Sequence, residues 1–274
     1  MKIEYLGTAA YEGVPSPFCR CEVCKKSRAL GGRNIRSRSQ ALVNDELLLD
    51  FNADTVSHYH RYGFDFERLC ACLITHSHCD HLYTDDIEIA AKCYSHEHRT
   101  LNFYAARSGY DMIRSVAYKT GGGVSVTLVE AGKRFAAGDG RYSVMPMNAN
   151  HMPQTSPVIY SIACEGKRML YAHDTGVFPE DTWELLEKEG RFDLVSIDCT
   201  GCLGLGGDWV DGHMSLGSVL KALERMRSLD LVDGDTVVVA NHFSHNGGQT
   251  YDEMCAAAEK YGITVSYDGL TIEF

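Results

Sequence analysis

The chain has 274 residues, 45% of them hydrophobic, so it is long enough to bury a sizeable core. A formal net charge of −11 disfavours general nucleic-acid binding, because the affinity of such binding comes mostly from Lys and Arg neutralising phosphates. No apolar run approaches the roughly 18 residues of a membrane span, and MKIEYLGTAA lacks the apolar centre of a secretory signal. We therefore expect a cytoplasmic protein without a membrane partner, whose 11 cysteines are thiols or metal ligands.

Short apolar runs bounded by Gly, Asp or Asn predict strands, and amphipathic periodicity predicts helices. In chain order, the predicted strands are 2–6, 40–43, 46–50, 70–75, 100–104, 124–129, 142–147, 157–163, 168–172, 193–197, 235–240 and 263–267. The predicted helices are 54–61, 85–93, 108–118, 179–189, 215–228 and 250–261. Two successive sets of strands followed by helices predict an α/β fold, a four-layer αββα sandwich of two mixed β-sheets. We expect one domain over residues 1–274, with residues 94–123 as a cap or a subunit contact.

The motif THSHCDH begins where the predicted strand 70–75 ends, and loops at the carboxyl ends of strands carry the chemistry of α/β proteins. Alternate residues of an extended segment point the same way, so His76 and His78 can bind one metal ion together. Asp80 and His81 would then face a second ion of a dinuclear pair. The pairs HYH (58–60) and HEH (96–98) lack the Asp-His continuation, and we interpret them as surface histidines.

Three more predicted strands end in residues that can bind metal. The strand 142–147 leads to His151, the strand 168–172 ends in His173 and Asp174, and the strand 235–240 leads to His242. Asp174 is favoured over His173 as a ligand, because a carboxylate can bridge two cations. Four strand ends that converge on one rim would complete a dinuclear site, which isolated surface histidines would not explain.

The series THSHCDH, His151, AHDTG and ANHFSH resembles the five-motif signature of the metallo-β-lactamase superfamily. The resemblance implies one ion held by His76, His78, His151 and Asp174, and a second held by Asp80, His81, His242 and Asp174. It also implies that Asp50, in LLLDFNAD, braces the metal loop, although Asn52 stands where a glycine is frequent. The antibiotic-hydrolysing branch has a cysteine in place of this kind of bridging aspartate, so Asp174 argues against a β-lactamase.

Cys19, Cys21 and Cys24 lie within six residues, and their C-x-C-x-x-C spacing is one ligand short of a tetrahedral zinc site. Redox chemistry is the rival interpretation, and spacing does not fix a fourth ligand. The PhnP-like phosphodiesterases of the superfamily have a similar cysteine cluster near the N-terminus. That resemblance implies that His245 completes a structural zinc site in a loop at about residues 15–30. A second pair, Cys199 and Cys202, is interpreted as packing or loop residues, with redox or substrate contact as the alternative.

The resemblance to PhnP-like enzymes also implies that His213, in DWVDGHMSLGSV, contacts phosphate and protonates the leaving group. We therefore expect His213, as general acid, and Asp80 to be the catalytic residues. The alternative for His213 is a helix-capping or surface histidine. The expected activity is hydrolysis of small, plausibly cyclic, phosphodiesters by a hydroxide that bridges two divalent ions. Mixed His and carboxylate ligation admits zinc, manganese or iron as those ions.

Other hydrolytic activities are consistent with the same motifs. An endonuclease that trims transfer-RNA 3′ ends has similar HxHxDH and HFS segments, but the net charge and the lack of a long basic arm argue against it. Hydrolysis of a lactone or a thioester would use the same hydroxide. A binding protein with purely architectural metals is disfavoured, because the chain supplies seven further ligands around an open pair beyond the four of a structural site. The resemblance further implies a homodimer.

Overall fold

The computed structural model describes residues 1–204 and 212–274, which contain 14 strands and six α-helices. The strands are β1 (Lys2–Gly7), β2 (Gln40–Val43), β3 (Leu47–Leu49), β4 (Ala71–Ile74), β5 (Leu101–Ala105), β6 (Val124–Leu128), β7 (Phe135–Ala137), β8 (Tyr142–Asn148), β9 (Val158–Cys164), β10 (Lys167–Ala172), β11 (Leu194–Asp198), β12 (Val237–Asn241), β13 (Ile263–Val265) and β14 (Leu270–Glu273). The α-helices are α1 (Glu22–Leu30), α2 (Thr55–Tyr62), α3 (Arg107–Ala117), α4 (Glu180–Glu189), α5 (Leu216–Ser228) and α6 (Tyr251–Ala258).

The strands form two seven-stranded mixed sheets. The first has the order β14-β1-β2-β3-β4-β5-β6, in which β3 to β6 are parallel and the other pairs are antiparallel. The second has the order β13-β12-β11-β10-β9-β8-β7, in which β10 to β13 are parallel and the other pairs are antiparallel. The parallel half of each sheet aligns its strand ends at one edge, where the loops of α/β proteins collect functional side chains.

Three clusters of buried apolar side chains separate the layers. One cluster lies between the sheets and contains side chains from strands of both, among them Tyr5, Leu73 and Tyr160. The outer face of the second sheet packs against α4, α5 and α6, and the outer face of the first sheet against α3. The four-layer sandwich predicted from the sequence is therefore confirmed.

Several local predictions differ from the structure. Two short strands, β7 and β14, escaped prediction, because three or four residues give little periodicity. The predicted helix 85–93 is a 3₁₀ segment, Thr84–Ala90. The cysteine-containing segment 15–30 holds α1 over its second half, with Cys21 as the N-cap, and is not a loop throughout. Residues 94–123 form no separate cap, because they contribute β5 and α3 to the first sheet and its outer layer. No helix within the described ranges is long and apolar enough to cross a membrane.

Candidate metal centre

The structure brings the predicted strand ends together at one edge of the sandwich. His76 follows β4, His151 follows β8, Asp174 follows β10 and His242 follows β12. Register explains part of this meeting, because Ala172 pairs with Ile197 and Asp198 pairs with Asn241. The loops after three adjacent parallel strands therefore start side by side.

A first group of ligand atoms comes from His76, His78, His151 and Asp174, with all four atoms within 4.8 Å of one another. His78 Nδ1 lies 2.9 Å from His76 Nε2 and 3.2 Å from His151 Nε2. Asp174 Oδ2 is 3.0 Å from His76 Nε2. Three imidazole nitrogens and one carboxylate oxygen thus face one small volume.

A second group comes from Asp80, His81, Asp174 and His242, all four buried and again within 4.8 Å. His81 Nε2 lies 3.2 Å from His242 Nε2, 3.3 Å from Asp174 Oδ2 and 3.5 Å from Asp80 Oδ2. Asp174 belongs to both groups. The two sets are those that the sequence predicted, and their roles as ligands are taken up below.

The protonation states of these groups suit a divalent cation. Burial and the charge of His81 lower the pKa of His76 to about 4, so the ring is neutral, the form that ligates metals. Burial opposes ionisation of Asp174, but His242 and His76 hold the pKa of Asp174 well below its usual range. A neutral His76 and an ionised Asp174, turned toward each other out of water, fit zinc, manganese or iron. Burial opposes protonation of His81, but the charges of Asp50 and Asp80 raise the pKa of its ring well above the usual value, so a bound ion would have to displace that proton.

Asp50 braces the motif from behind. Its Oδ1 accepts hydrogen bonds from the Thr75 amide at 2.7 Å and the Thr75 hydroxyl at 2.9 Å. Its Oδ2 lies 2.7 Å from His81 Nδ1, which turns Nε2 of that ring toward the second group. Such carboxylate–histidine contacts fix ring orientation in metal sites.

Three residues of the centre have left-handed backbone conformations without being glycine. The φ angles are 68° at Asp50, 54° at Asp174 and 65° at His242. Each such residue costs on the order of 1–2 kcal/mol, and such residues cluster at functional sites. The sharp turns direct these side chains into the centre immediately after their strands end.

His213 stands beside the second group, with Nδ1 3.0 Å from Asp174 Oδ1 and 3.2 Å from Asp198 Oδ2. Burial opposes protonation, but the hydrogen bond and charge of Asp198, with the charges of Asp174 and Asp80, raise the pKa of His213 to about 9. The ring is thus held in its proton-donating form near neutral pH.

Asp198 is a functional residue that the sequence analysis missed. It ends β11 fully buried, where its carboxylate accepts hydrogen bonds from the backbone amides of Asp174, Thr200 and Met214. It also lies 3.4 Å from His242 Nδ1. The signal is present in the sequence, because Asp198 closes the strand FDLVSID as Asp50 closes LLLD.

A cavity of ≈ 380 Å³ opens onto the two groups. Its wall includes His78, Asp80, His151, Asp174, His213 and His242, together with Tyr11, Glu12, Cys79, Thr200 and Ser244. The metal groups therefore lie at the wall of a pocket that can admit a small molecule. The remainder of the loop that carries His213, residues 205–211, lies outside the described residues.

The thiols of Cys19, Cys21 and Cys24 gather with His245, whose Nδ1 is 3.7 Å from Cys19 Sγ and 3.5 Å from Cys21 Sγ. The amide of Cys21 lowers the pKa of the Cys19 thiol, whereas burial raises the pKa of Cys24 to about 12. Ionisation of Cys24 therefore needs a cation beside it. Three sulfurs and one imidazole nitrogen are a donor set of structural zinc sites.

Other candidate residues lie outside these groups. His60 and His96 are exposed, as the sequence suggested, and His98 Nε2 lies 2.8 Å from the Ala90 carbonyl oxygen. The prediction for His58 is wrong, because that ring is 2% exposed and contacts Gln40 and Ser37 on the inner side of α2.

The second cysteine pair has no metal-like grouping in the described structure. Cys199 and Cys202 are buried packing residues of the second sheet's outer core, in agreement with their interpretation from sequence. Burial raises the pKa of both thiols, so they remain protonated near neutral pH.

Solved structures of other proteins share this fold. The Zn²⁺-bound PqqB from Methylobacterium extorquens is 20% identical with a TM-score of 0.78, over 100% of both chains. A diphosphatase of the PhnP family is 19% identical with a TM-score of 0.74, over 100% of this chain and 97% of its own. The short form of human tRNase Z is 17% identical with a TM-score of 0.65, over 100% and 99%. None of the curated proteins matches the sequence.

The αββα sandwich and its grouped His and Asp side chains define a metal-dependent hydrolase. The chain belongs to the beta-lactamase superfamily, because the profile of the Beta-lactamase superfamily domain matches residues 50–243. The matched region includes every residue of the two groups, and the resemblance inferred from the sequence is confirmed.

Proposed function

We propose that this hydrolase is a phosphodiesterase that cleaves small phosphodiesters, cyclic ones included. One observation carries the proposal: Asp174 is shared by the first and second groups, and the imidazole of His213 borders the same cavity, grouped with Asp174, Asp198 and His242. A phosphodiester needs charge neutralisation on its non-bridging oxygens and a proton for its departing oxygen. The two groups lie in the cavity wall where cations would neutralise the phosphate oxygens, and His213 lies there as the proton donor.

Two divalent cations, zinc or manganese or alternatively iron, would be held by the two groups. The first cation would bind His76, His78, His151 and Asp174, and the second Asp80, His81, His242 and Asp174. When bound, such a pair neutralises phosphate oxygens and lowers the pKa of water. The orientation of two ligand rings is set by carboxylates behind them, since Asp50 contacts Nδ1 of His81 and Asp198 lies near Nδ1 of His242.

His213 acts as the general acid in this proposal. Because its Nδ1 faces Asp198 and Asp174, the other ring nitrogen, Nε2, is the atom that donates to the leaving oxygen. Asp198 keeps the proton on Nδ1 after that transfer, as a carboxylate orients the histidine of hydrolytic triads. The donating ring is 18% exposed and therefore accessible from the cavity.

The thiolate group serves as a structural zinc site in the same proposal. Cys19, Cys21, Cys24 and His245 would hold the ion and tie the N-terminal segment to the loop after β12. The support is the donor set itself and the burial of Cys24. Metal analysis of the purified protein tests this directly, with up to three ions expected in each chain.

The activity is tested with metal-loaded protein on bis(p-nitrophenyl) phosphate, adenosine 2′,3′-cyclic phosphate, p-nitrophenyl phosphate, a lactone and a thioester. We expect turnover of the diesters above all other substrates. His213→Ala should keep its metal content and lose turnover of the cyclic diester by about 100-fold or more, the usual contribution of a general acid. Normal turnover of the cyclic diester by His213→Ala would refute the general-acid assignment.

The alternative activities have their own outcomes in this assay. Preferential cleavage of the lactone or the thioester would replace the phosphodiesterase proposal. A transfer-RNA precursor, added as a further substrate, should be a poor one because of the net charge of −11. Salt-dependent binding and cleavage of that RNA would favour the endonuclease instead.

A further inference from the structure

Glu12 places a carboxylate in the wall of the cavity, although it belongs to neither metal group. Its segment is fixed by the backbone, because the Ala10 amide donates to the Phe243 carbonyl at 3.0 Å and the Phe243 amide donates to the Thr8 carbonyl at 2.9 Å. Segment 8–12 therefore runs along the loop that carries His242. Glu12 is held beside the site by the fold.

The side chain of Glu12 is also held. Its Oε1 accepts a hydrogen bond from the Ser244 hydroxyl at 2.5 Å and lies 3.6 Å from His245 Nε2. The other nitrogen of His245 faces Cys19 and Cys21, so this histidine stands between the thiols and the carboxylate. The Glu12 side chain is 25% exposed. A carboxylate that is held by Ser244 and still open to the cavity is suited to contact a ligand.

We propose that Glu12 determines substrate specificity by admitting diesters whose organic part carries a hydroxyl or amino group and by rejecting those with a second phosphate. This inference rests on the proposed phosphodiesterase function. Glu12 lies in the wall of a cavity of ≈ 380 Å³, so a second phosphate held against that wall would face a like charge. Like charges that face each other in a binding site are a strong source of discrimination.

Glu12 should favour substrates that present a hydrogen-bond donor to it, whereas it rejects a second phosphate. A carboxylate oxygen accepts hydrogen bonds from a sugar hydroxyl or an amine. The Ser244 hydroxyl donates to Oε1 of Glu12, so Oε2 is the oxygen that would accept from a substrate. Tyr11, beside it in the wall, is 58% exposed, so its aromatic ring is accessible to a neutral organic group. The wall thus fits a neutral, hydroxyl-bearing group better than an anionic one.

The test compares two substrates that differ only at this group: the p-nitrophenyl ester of thymidine 5′-phosphate, with either a 3′-hydroxyl or a 3′-phosphate. The wild-type, metal-loaded protein should prefer the 3′-hydroxyl ester by about tenfold or more in kcat/KM. Glu12→Gln should reduce that preference by about tenfold, mainly by lowering KM for the 3′-phosphate ester. Ser244→Ala should shift it in the same direction and by less.

Two controls separate charge from structure. Glu12→Asp keeps the charge and should keep the preference. Glu130→Gln, an exposed carboxylate that pairs with Lys133 away from the cavity, should behave as wild type. A wild-type protein without the preference, or a Glu12→Gln variant with the wild-type ratio, would overturn the inference.

A binding measurement gives a readout that is independent of turnover. Calorimetry on metal-loaded protein should show that thymidine 5′-phosphate binds more tightly than thymidine 3′,5′-bisphosphate. The ratio of the two dissociation constants should be smaller in Glu12→Gln. If no diester is hydrolysed, the proposed function fails, while this pair of affinities still decides the role of Glu12. Equal affinities in wild type and variant would refute that role.

Discussion

Replacing Asp198 by Asn should disable proton donation to the leaving group while leaving the metal groups filled. The carboxylate touches His213 Nδ1 at 3.2 Å and accepts the Met214 amide at 2.8 Å and the Thr200 amide at 3.0 Å. An amide of the same size can still accept the Thr200 and Met214 amides through its oxygen, because both donate to Oδ1, and it loses the Asp174 amide, which donates to Oδ2. It cannot supply the negative charge that holds His213 protonated.

The size of the effect follows from the shift at His213. Its pKa stands at about 9 against an ordinary value of 6.5, which corresponds to roughly 3 kcal/mol in favour of the protonated ring. Asp198 makes the leading stabilising contributions to that shift, so Asp198→Asn should return the ring toward neutrality at pH 8. General acids contribute about 10²–10⁴-fold to rate. We therefore expect a loss of about 100-fold or more in kcat wherever the leaving oxygen needs a proton.

The assay compares two leaving groups. Adenosine 2′,3′-cyclic phosphate releases an alkoxide that needs protonation, whereas bis(p-nitrophenyl) phosphate releases p-nitrophenoxide, which departs without it. Asp198→Asn should therefore lose activity on the first and stay within about threefold of wild type on the second. Asp193→Asn, at the other end of β11 and paired with Arg191, is the matched control. Equal losses on both substrates, or a loss of bound metal, would refute the reasoning.

Two further predictions concern stability. Cys24→Ser should lose one equivalent of zinc and about 2 kcal/mol or more of unfolding free energy, because metal ligation contributes to folding. Metal analysis and thermal unfolding measure the two losses, and Cys93→Ser, at an exposed cysteine, is the control that should lose neither. Burial lowers the pKa of His58 from 6.5 to about 4, so its ring stays neutral in the folded protein. The stability that depends on this neutral ring is fully present above pH 6.5 and is lost as the pH falls from 6.5 to 4, by about 3 kcal/mol in total. Urea unfolding of His58→Gln at pH 7, 6 and 5 should show a shallower loss of stability than wild type or the exposed His60→Gln, and parallel slopes would contradict the assignment.

The layers and the residues of the two groups could be predicted because their signals are local, whereas the division of those residues into two sets was implied by the family resemblance. Apolar runs marked the strands, and His76, His151, Asp174 and His242 each follow such a run within a few residues. The carboxyl ends of parallel strands share an edge, so these residues were expected to meet. Topology thus accounts for which strand ends meet, whereas the turns that direct the side chains into the centre do not follow from it.

Residues whose roles depend on tertiary contacts could not be found in this way. Glu12 reaches the cavity only because its segment pairs with the loop after β12, more than 200 positions away in sequence. His58 was predicted to be exposed because its helix looks polar, but Gln40 and Ser37 satisfy its ring nitrogens inside the protein. Hydrogen-bond partners from distant strands override local polarity, and local patterns carry no trace of them.

Backbone conformation is the other property that the pattern concealed. Left-handed residues are usually glycine, yet Asp50, Asp174 and His242 adopt φ angles of 54° to 68°. A glycine in any of these positions would relieve the strain and remove the functional side chain. The strain is thus maintained by the surrounding sheets, because each residue follows a buried strand whose register is fixed on both sides.

The loop after β12 connects the two predicted kinds of metal site. His242 faces Asp174 and His81, while His245, three residues on, faces the thiols of Cys19 and Cys21. Between them the Ser244 hydroxyl binds Glu12 in the cavity wall. A cation held by the cysteines would therefore fix His245, which lies 3.6 Å from the Glu12 carboxylate. If Glu12 selects substrates as proposed, the thiolate site would influence that selection through this loop, without touching the substrate.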